Sequence, residues 1–105
     1  MTERALLDRD GLVTIRALLG RHVAVVGLGY VGLPTALSLA DHGARITGCD
    51  VSETRLADIK SGRVDLLVRD HQRLTHHLLA DSLRLTTEPH ALAEADAILI
   101  CVPRL

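Results

Sequence analysis

The sequence predicts an α/β fold, a doubly wound parallel sheet of about four strands with helices on its faces. Short apolar, β-branched runs recur along the chain, and segments with apolar residues at helical spacing separate them. The first of these runs lacks apolar–polar alternation, which is typical of parallel strands buried on both faces. Because crossovers between parallel strands are right-handed, the succession of strands and helices along the chain predicts the strand order 3-2-1-4.

The first unit is a strand over residues 22–27 followed by a helix over residues 31–42. Pro34 falls in the first turn of that helix, where a missing N–H costs nothing. Gly43 suits the position just after the helix. Residues 1–21 are expected to form an N-terminal leader, and nothing in them indicates chemistry.

The second strand is predicted over residues 45–50, and Ser52 is a good N-cap for a helix that ends near Gly62. Residues 63–69 are expected to form a linker, and a third helix to begin with Asp70 as its N-cap. The core residues of that helix are predicted to be Leu74, Leu78 and Leu79. A strand over residues 83–86, a short helix over 89–94 and a strand over 97–102 complete the predicted elements.

Three glycines follow the first strand with the spacing G-x-G-x-x-G. This pattern is specific when it joins a strand to a helix, as it does here. The glycines allow a tight turn, a close approach of the backbone to a pyrophosphate and close helix packing, and the helix N-terminus points at the phosphates. The turn therefore predicts a partial Rossmann fold that binds a dinucleotide. The binding residues predicted here are Gly27, Leu28, Gly29, Tyr30, Val31 and Gly32.

An acidic residue is expected about 20 positions after such a turn, and Asp50 occupies that place. A carboxylate there accepts hydrogen bonds from the adenosine ribose and repels a 2′-phosphate, which favours NAD over NADP. Arg55 lies close by in sequence and is also predicted to bind the cofactor. Its spacing leaves four roles open: pairing with Asp50, covering the adenine, touching the ribose, or standing as a solvated charge.

The fourth strand leads into Cys101, Val102 and Pro103. Ligands of doubly wound sheets sit beyond the carboxyl ends of the strands, where the strand order reverses. Val102 and Pro103 are therefore predicted to meet the nicotinamide-side ribose. Cys101 and Cys49 are interpreted as small core residues rather than nucleophiles, and no catalytic residue is predicted.

The composition bounds the remaining interpretations. The chain has 105 residues, enough for one domain, and a formal net charge of −1, which gives no reason to expect nucleic acid or a membrane surface as a partner. Its two cysteines suggest no disulfide framework, and its acidic N-terminus argues against a secretory signal, so a cytoplasmic location is expected. The histidines at 71, 76 and 77 have no partners at metal-ligand spacing, so they predict a solvated or half-buried helix face and no metal site.

Residues 23–34, V-A-V-V-G-L-G-Y-V-G-L-P, resemble the N-terminal NAD-binding domain of the nucleotide-sugar dehydrogenases, which include the UDP-glucose, GDP-mannose and UDP-N-acetylmannosamine enzymes. The likeness continues through residues 48–51, 59–62, 85–87 and 95–103. The resemblance implies NAD-dependent oxidation of a nucleotide-sugar C6 alcohol to a carboxylate through a catalytic cysteine. It also implies that Asp50 binds the adenosine ribose, that Arg55 contacts the same end of NAD, and that Val102 and Pro103 form the loop after the fourth strand.

Two departures from the family pattern stand out. Arg104 and Leu105 replace a continuation that usually carries a threonine, and residues 64–77 lack a proline- and glycine-containing run found in many members. We therefore expect residues 22–105 to be a truncated half-domain of a divergent subgroup, with the substrate-binding and dimerisation domains absent. Neither cysteine matches the catalytic one, so the chain alone is expected to lack turnover. Because a half-domain lacks the part that would cover its sheet, it is also expected to expose apolar surface that promotes self-association.

Two alternatives stay open from the sequence. The first is the NAD-binding domain of a β-hydroxyacid or 6-phosphogluconate type dehydrogenase, although Val31 stands where those enzymes commonly have methionine. The second is a non-catalytic nucleotide-binding or assembly module.

Overall fold

The computed structural model describes residues 20–101. The leader predicted over residues 1–21 falls almost wholly outside this range, as do Val102 and Pro103. The elements along the described chain are β1 (His22–Val26), α1 (Gly32–Asp41), β2 (Arg45–Cys49), α2 (Glu53–Ser61), α3 (Val68–Ala80), β3 (Leu83–Thr86), a 3-10 helix (Pro89–Glu94) and β4 (Ala97–Ile100).

The four described strands form one parallel sheet in the order β3-β2-β1-β4. Val23 of β1 lies opposite Ile46 on one side and Ala97 on the other. This order confirms the predicted fold class. It places the carboxyl ends of β1 and β4 side by side, at the point where the chain reverses its direction of winding.

The main core lies between the sheet and helices α1 and α3. It is built from aliphatic side chains, because the sequence contains no Phe or Trp. Burying each large aliphatic side chain contributes about 1.5–3 kcal/mol, so the helices are held chiefly by their leucines. The largest fully buried side chains are Leu28, Leu33, Leu37, Ile59, Leu74, Leu83, Val23 and Val25.

The ends of α1 and α2 follow the predicted signals. Gly43 has φ +96° just after α1, a conformation that glycine adopts without a steric penalty. The Ser52 side chain accepts a hydrogen bond from the Arg55 N–H at 3.0 Å and caps α2. Both signals are local, which is why the sequence revealed them.

Helix α3 departs from its prediction in two ways. It begins at Val68 rather than after Asp70, and its N-cap residue Leu67 makes no side-chain capping bond. Asp70 lies inside the first turn, where it accepts a hydrogen bond from Arg73 Nη1 at 2.7 Å. Leu79, predicted for the core, is 83% exposed, whereas His77, predicted on a solvated or half-buried face, is buried.

His77 belongs to a polar network that joins the end of α1 to α3, which we call the Asp41 network (Asp41, Arg73, His77, Ser82). His77 Nε2 lies 2.6 Å from Asp41 Oδ1, and its Nδ1 lies 2.7 Å from Ser82 Oγ. Arg73 Nε donates to Asp41 Oδ2 at 2.6 Å. Partial burial raises the pKa of Asp41, but the hydrogen bonds from His77 and Arg73 outweigh it, so this pKa is below its ordinary value.

Strand β4 has two apolar side chains that are not covered by the described chain. Ile98 is 47% exposed and Ile100 is 70% exposed. Within residues 20–101, no helix combines the length and apolar character needed to cross a bilayer. The same residues contain no group of three or more His, Cys, Asp or Glu side chains that could hold a metal ion.

Candidate cofactor site at the glycine turn

The chain leaves β1 through a turn held against β2. Gly27 has φ +91°, in the left-handed region that favours glycine. Its N–H donates to the carbonyl of Cys49 at 2.8 Å, and the Cys101 N–H donates to the carbonyl of Val26 at 2.7 Å. The ends of β1, β2 and β4 therefore meet at the turn, as the sequence predicted for the site.

Gly32 and Gly29 are required for different reasons. A Cβ at Gly32 would lie 1.6 Å from the carbonyl oxygen of Gly27, so the first residue of α1 can only be glycine while it packs on the turn. A Cβ at Gly29 would meet no atom within 4 Å. The packing of the described chain thus leaves open space at Gly29, where a dinucleotide backbone could approach as closely as the motif requires.

The turn also presents unpaired hydrogen-bond donors. Within the described part of the chain, the backbone N–H groups of Gly29, Tyr30, Val31 and Gly32 donate to no other group. The next N–H, that of Leu33, donates to the Gly29 carbonyl at 3.2 Å. Free N–H groups and the positive end of the helix dipole suit a phosphate, so these residues fit the pyrophosphate of a dinucleotide.

Asp50 lies immediately after β2 and faces the turn. Its Oδ2 accepts from the Leu28 N–H at 2.9 Å, and its Oδ1 accepts from the Ser52 N–H at 2.9 Å. An ionised carboxylate has about four lone-pair sites, so each oxygen keeps acceptor capacity for a ribose hydroxyl. The structure therefore leaves Asp50 able to hold the turn and a ribose together.

Arg55 takes a place that the sequence did not indicate. Its Nε donates to the carbonyl of Leu28 at 2.7 Å, and it makes no ion pair with Asp50 within residues 20–101. Leu28 is therefore bound at both its N–H and its carbonyl. Its side chain is fully buried, so among the predicted site residues it serves as the anchor of the turn.

A cavity of about 420 Å³ adjoins the turn on the side of α2 and α3. Tyr30 stands at this cavity with its side chain 89% exposed, and Arg55 also lines it. The segment between α2 and α3 forms the far wall, which was expected only to be a linker. That wall consists of Val64, Asp65, Leu66 and Leu67, and Asp70 from the first turn of α3 adjoins it.

Neither cysteine of the described chain is activated as a nucleophile. Burial raises the pKa of the Cys101 thiol, and burial together with the charges of Asp50 and Glu88 raises that of Cys49. Since the thiolate is the reactive form, the surroundings of both thiols disfavour that form. Val102 and Pro103, the predicted contacts on the nicotinamide side, lie outside the described residues.

Comparison with known proteins agrees with this geometry. Residues 21–104 match the model of the UDP-glucose/GDP-mannose dehydrogenase family, NAD binding domain. UDP-N-acetyl-D-mannosamine dehydrogenase of Methanococcus maripaludis is 41% identical over 83 residues, which are 79% of this chain and 19% of that protein. The chain thus spans about a fifth of the length of the curated relatives it matches.

Solved structures show the same likeness. UDP-D-ManNAc dehydrogenase from Pyrococcus horikoshii superposes with a TM-score of 0.71 at 33% identity, covering 77% of this chain and 20% of that one. GDP-mannose dehydrogenase from Pseudomonas aeruginosa, in a ternary complex, gives a TM-score of 0.69 at 30% identity, covering 77% and 19%. The family match decides against the β-hydroxyacid alternative. The chain belongs to the UDP-glucose/GDP-mannose dehydrogenase family, and it corresponds to that family's NAD-binding domain.

Proposed function

We propose that this chain binds NAD at the glycine turn and serves as the cofactor-binding part of an enzyme that oxidises a nucleotide sugar. The observation that carries the proposal is the open space at Gly29, bordered by the four free N–H groups of residues 29–32. A glycine that the packing of its own chain does not require, placed among unpaired donors, is explained by a ligand that must come close.

Each site residue has a distinct task. The N–H groups of Gly29, Tyr30 and Val31 bind the pyrophosphate, helped by the positive end of the α1 dipole. Asp50 accepts the adenosine ribose hydroxyls with the lone pairs that Leu28 and Ser52 leave free. NAD, when bound, supplies the hydride acceptor for oxidation of the sugar alcohol.

The substrate class follows from the relatives, which are named for UDP-N-acetyl-D-mannosamine and GDP-mannose. We propose a nucleotide sugar as the substrate of the whole enzyme, with its C6 alcohol oxidised to a carboxylate. Val102 and Pro103 remain the predicted contacts to the nicotinamide-side ribose. The position of Cys101 beside the end of β1 supports this prediction.

Three further expectations belong to the proposal. The chain alone binds NAD without turning over a sugar, because neither Cys49 nor Cys101 matches the catalytic cysteine of the family. The exposed side chains of Ile98 and Ile100 promote self-association. Two free thiols and the absence of a disulfide between them support a location in the reducing cytoplasm.

Titration calorimetry of the purified chain with NAD, NADH and NADP tests the proposal. We expect NAD and NADH to bind and NADP to bind at least about tenfold more weakly, since a 1.4 kcal/mol repulsion between Asp50 and a 2′-phosphate gives that ratio. The variant Asp50→Asn, which removes the negative charge, should reduce the ratio of NAD affinity to NADP affinity. A folded chain that binds none of the three cofactors contradicts the proposal, and NAD reduction on addition of a nucleotide sugar contradicts the expected lack of turnover.

A further inference from the structure

We propose that Arg55 is a positioning residue: by holding the Leu28 carbonyl it aims the Gly29 N–H into the cofactor site. This inference rests on the proposed binding of NAD at the turn. It differs from every role that the sequence left open for Arg55, because the guanidinium acts on the protein backbone rather than on the adenine, the ribose or Asp50.

Four hydrogen bonds close a ring that we call the Leu28 clamp (Leu28, Asp50, Ser52, Arg55). Leu28 donates its N–H to Asp50 Oδ2 at 2.9 Å, and Ser52 donates its N–H to Asp50 Oδ1 at 2.9 Å. Arg55 donates its N–H to Ser52 Oγ at 3.0 Å and its Nε–H to the Leu28 carbonyl at 2.7 Å. The ring thus ties the turn to the first residues of α2.

Peptide geometry converts the Arg55 bond into the orientation of the next N–H. No peptide bond in the described chain is cis, so the carbonyl of Leu28 and the N–H of Gly29 lie in one plane and point in opposite directions. When Arg55 holds the carbonyl, the Gly29 N–H points the opposite way, where no group of the described chain accepts it. Rotation of this single peptide would withdraw one phosphate donor.

The peptide needs such a restraint because no other hydrogen bond within residues 20–101 holds it. No N–H of α1 donates to the Leu28 carbonyl. Helix α1 begins at Gly32, and the Leu33 N–H donates to the Gly29 carbonyl instead. Glycine at position 29 adds backbone freedom that a larger residue would lack. The buried Leu28 side chain, which packs against Gly48, fixes the position of the residue but not the tilt of the following peptide.

The test compares Arg55→Met, which removes the donor, with Arg55→Lys, which keeps a positively charged donor. Lys60→Met is the matched control, because it removes an exposed cation from the same helix. The amide resonance and hydrogen exchange of Gly29 are measured without ligand, and the NAD affinity is measured by calorimetry. We expect Arg55→Met to shift the Gly29 amide and weaken NAD about tenfold, as for loss of a charge-assisted hydrogen bond. Arg55→Lys should stay within about threefold of the parent, and Lys60→Met should change neither quantity.

Two results overturn the inference. If Arg55→Met weakens NAD while the Gly29 amide in the free protein is unchanged, Arg55 contacts the cofactor directly. If Arg55→Met leaves the NAD affinity unchanged, the clamp has no part in binding. Should Arg55→Met not fold, Arg55→Ala, which also removes the donor, takes its place with the same expected result and the same contradicting results. If the parent chain binds no NAD, the proposed function fails, whereas the Gly29 amide still shows whether Arg55 sets the peptide.

Discussion

The two ends of α1 are both held by charged side chains, but in opposite ways. At its carboxyl end, Asp41 meets Arg73 and His77 in contacts between side chains, and the network is closed. Near its amino end, Asp50 and Arg55 form hydrogen bonds with the backbone of Leu28, and the N–H groups of residues 29–32 stay unpaired within the described chain. One end satisfies its polar groups internally, and the other holds them ready for a ligand.

This difference shows how one helix can serve stability and binding at once. Within the described residues no buried side-chain nitrogen or oxygen lacks a hydrogen-bond partner, so the unpaired donors at the glycine turn belong to the backbone. A site whose groups are oriented in advance by supporting hydrogen bonds loses less entropy when the ligand arrives. We therefore expect substitutions at the amino end to affect binding and those at the carboxyl end to affect folding.

The largest effect is expected for Gly32→Ala, which breaks the amino end altogether. The new methyl group would lie 1.6 Å from the Gly27 carbonyl oxygen, so the backbone of the turn or of α1 must move. We expect a loss of at least about 3 kcal/mol in the free energy of unfolding together with the loss of NAD binding. Urea unfolding followed by circular dichroism measures the first, and calorimetry measures the second.

Gly29→Ala is the matched control for that change. Its methyl group meets no protein atom within 4 Å, so the free energy of unfolding should stay the same or rise by up to about 1 kcal/mol. NAD binding should still be lost, because the methyl group fills the space at the turn. Equal destabilisation by the two alanines would refute the different roles assigned to these glycines.

His77→Ala should break the carboxyl end and leave the amino end intact. The substitution leaves Asp41 and Ser82 without the imidazole that now joins them, which should cost about 2 kcal/mol of unfolding free energy. NAD affinity should not change. The neighbouring His76 is exposed, so His76→Ala should alter the unfolding free energy by less than about 0.5 kcal/mol. A weakened NAD affinity in His77→Ala would show that the two ends are coupled.

The smallest effect concerns the pH dependence of the Asp41 network. Because the folded-state pKa of Asp41 lies below its ordinary value, its contribution to stability is present above the unfolded pKa and is lost as the pH falls through the folded one. We expect the stability difference between the parent and Asp41→Asn to shrink between about pH 5 and about pH 3. Urea unfolding at several pH values measures it, and a difference that grows toward acid would contradict the assignment.

The parts of the site that follow from local rules were predictable. The spacing of Gly27, Gly29 and Gly32 indicated the turn, and Ser52 indicated the start of α2. Asp50 was expected at the ribose because it ends the second strand about 20 positions after the glycine turn. The structure places the Asp50 carboxylate beside the turn, 2.9 Å from the Leu28 N–H, and its contact with a ribose stays a prediction.

The parts that depend on packing could not be predicted in the same way. Asp70 has the chemistry of an N-cap, yet it pairs with Arg73, and α3 already begins at Val68 with Leu67 as its N-cap residue. His77 is buried and Leu79 is exposed, the reverse of what their residue types suggest. The position of α3 against α1 brings His77 into contact with Asp41. Sequence spacing gives no measure of how far one helix is rotated against another.

The sequence by itself determined the alternating strands and helices, the glycine turn and the family. Each depends on contacts within a short stretch of chain or on the fixed handedness of parallel crossovers. Only the tertiary structure decided that Arg55 holds the Leu28 carbonyl and that His77 closes the network at Asp41. These contacts join residues 27 and 36 positions apart, and such distant partners meet only after the core has set the distance and rotation between the elements.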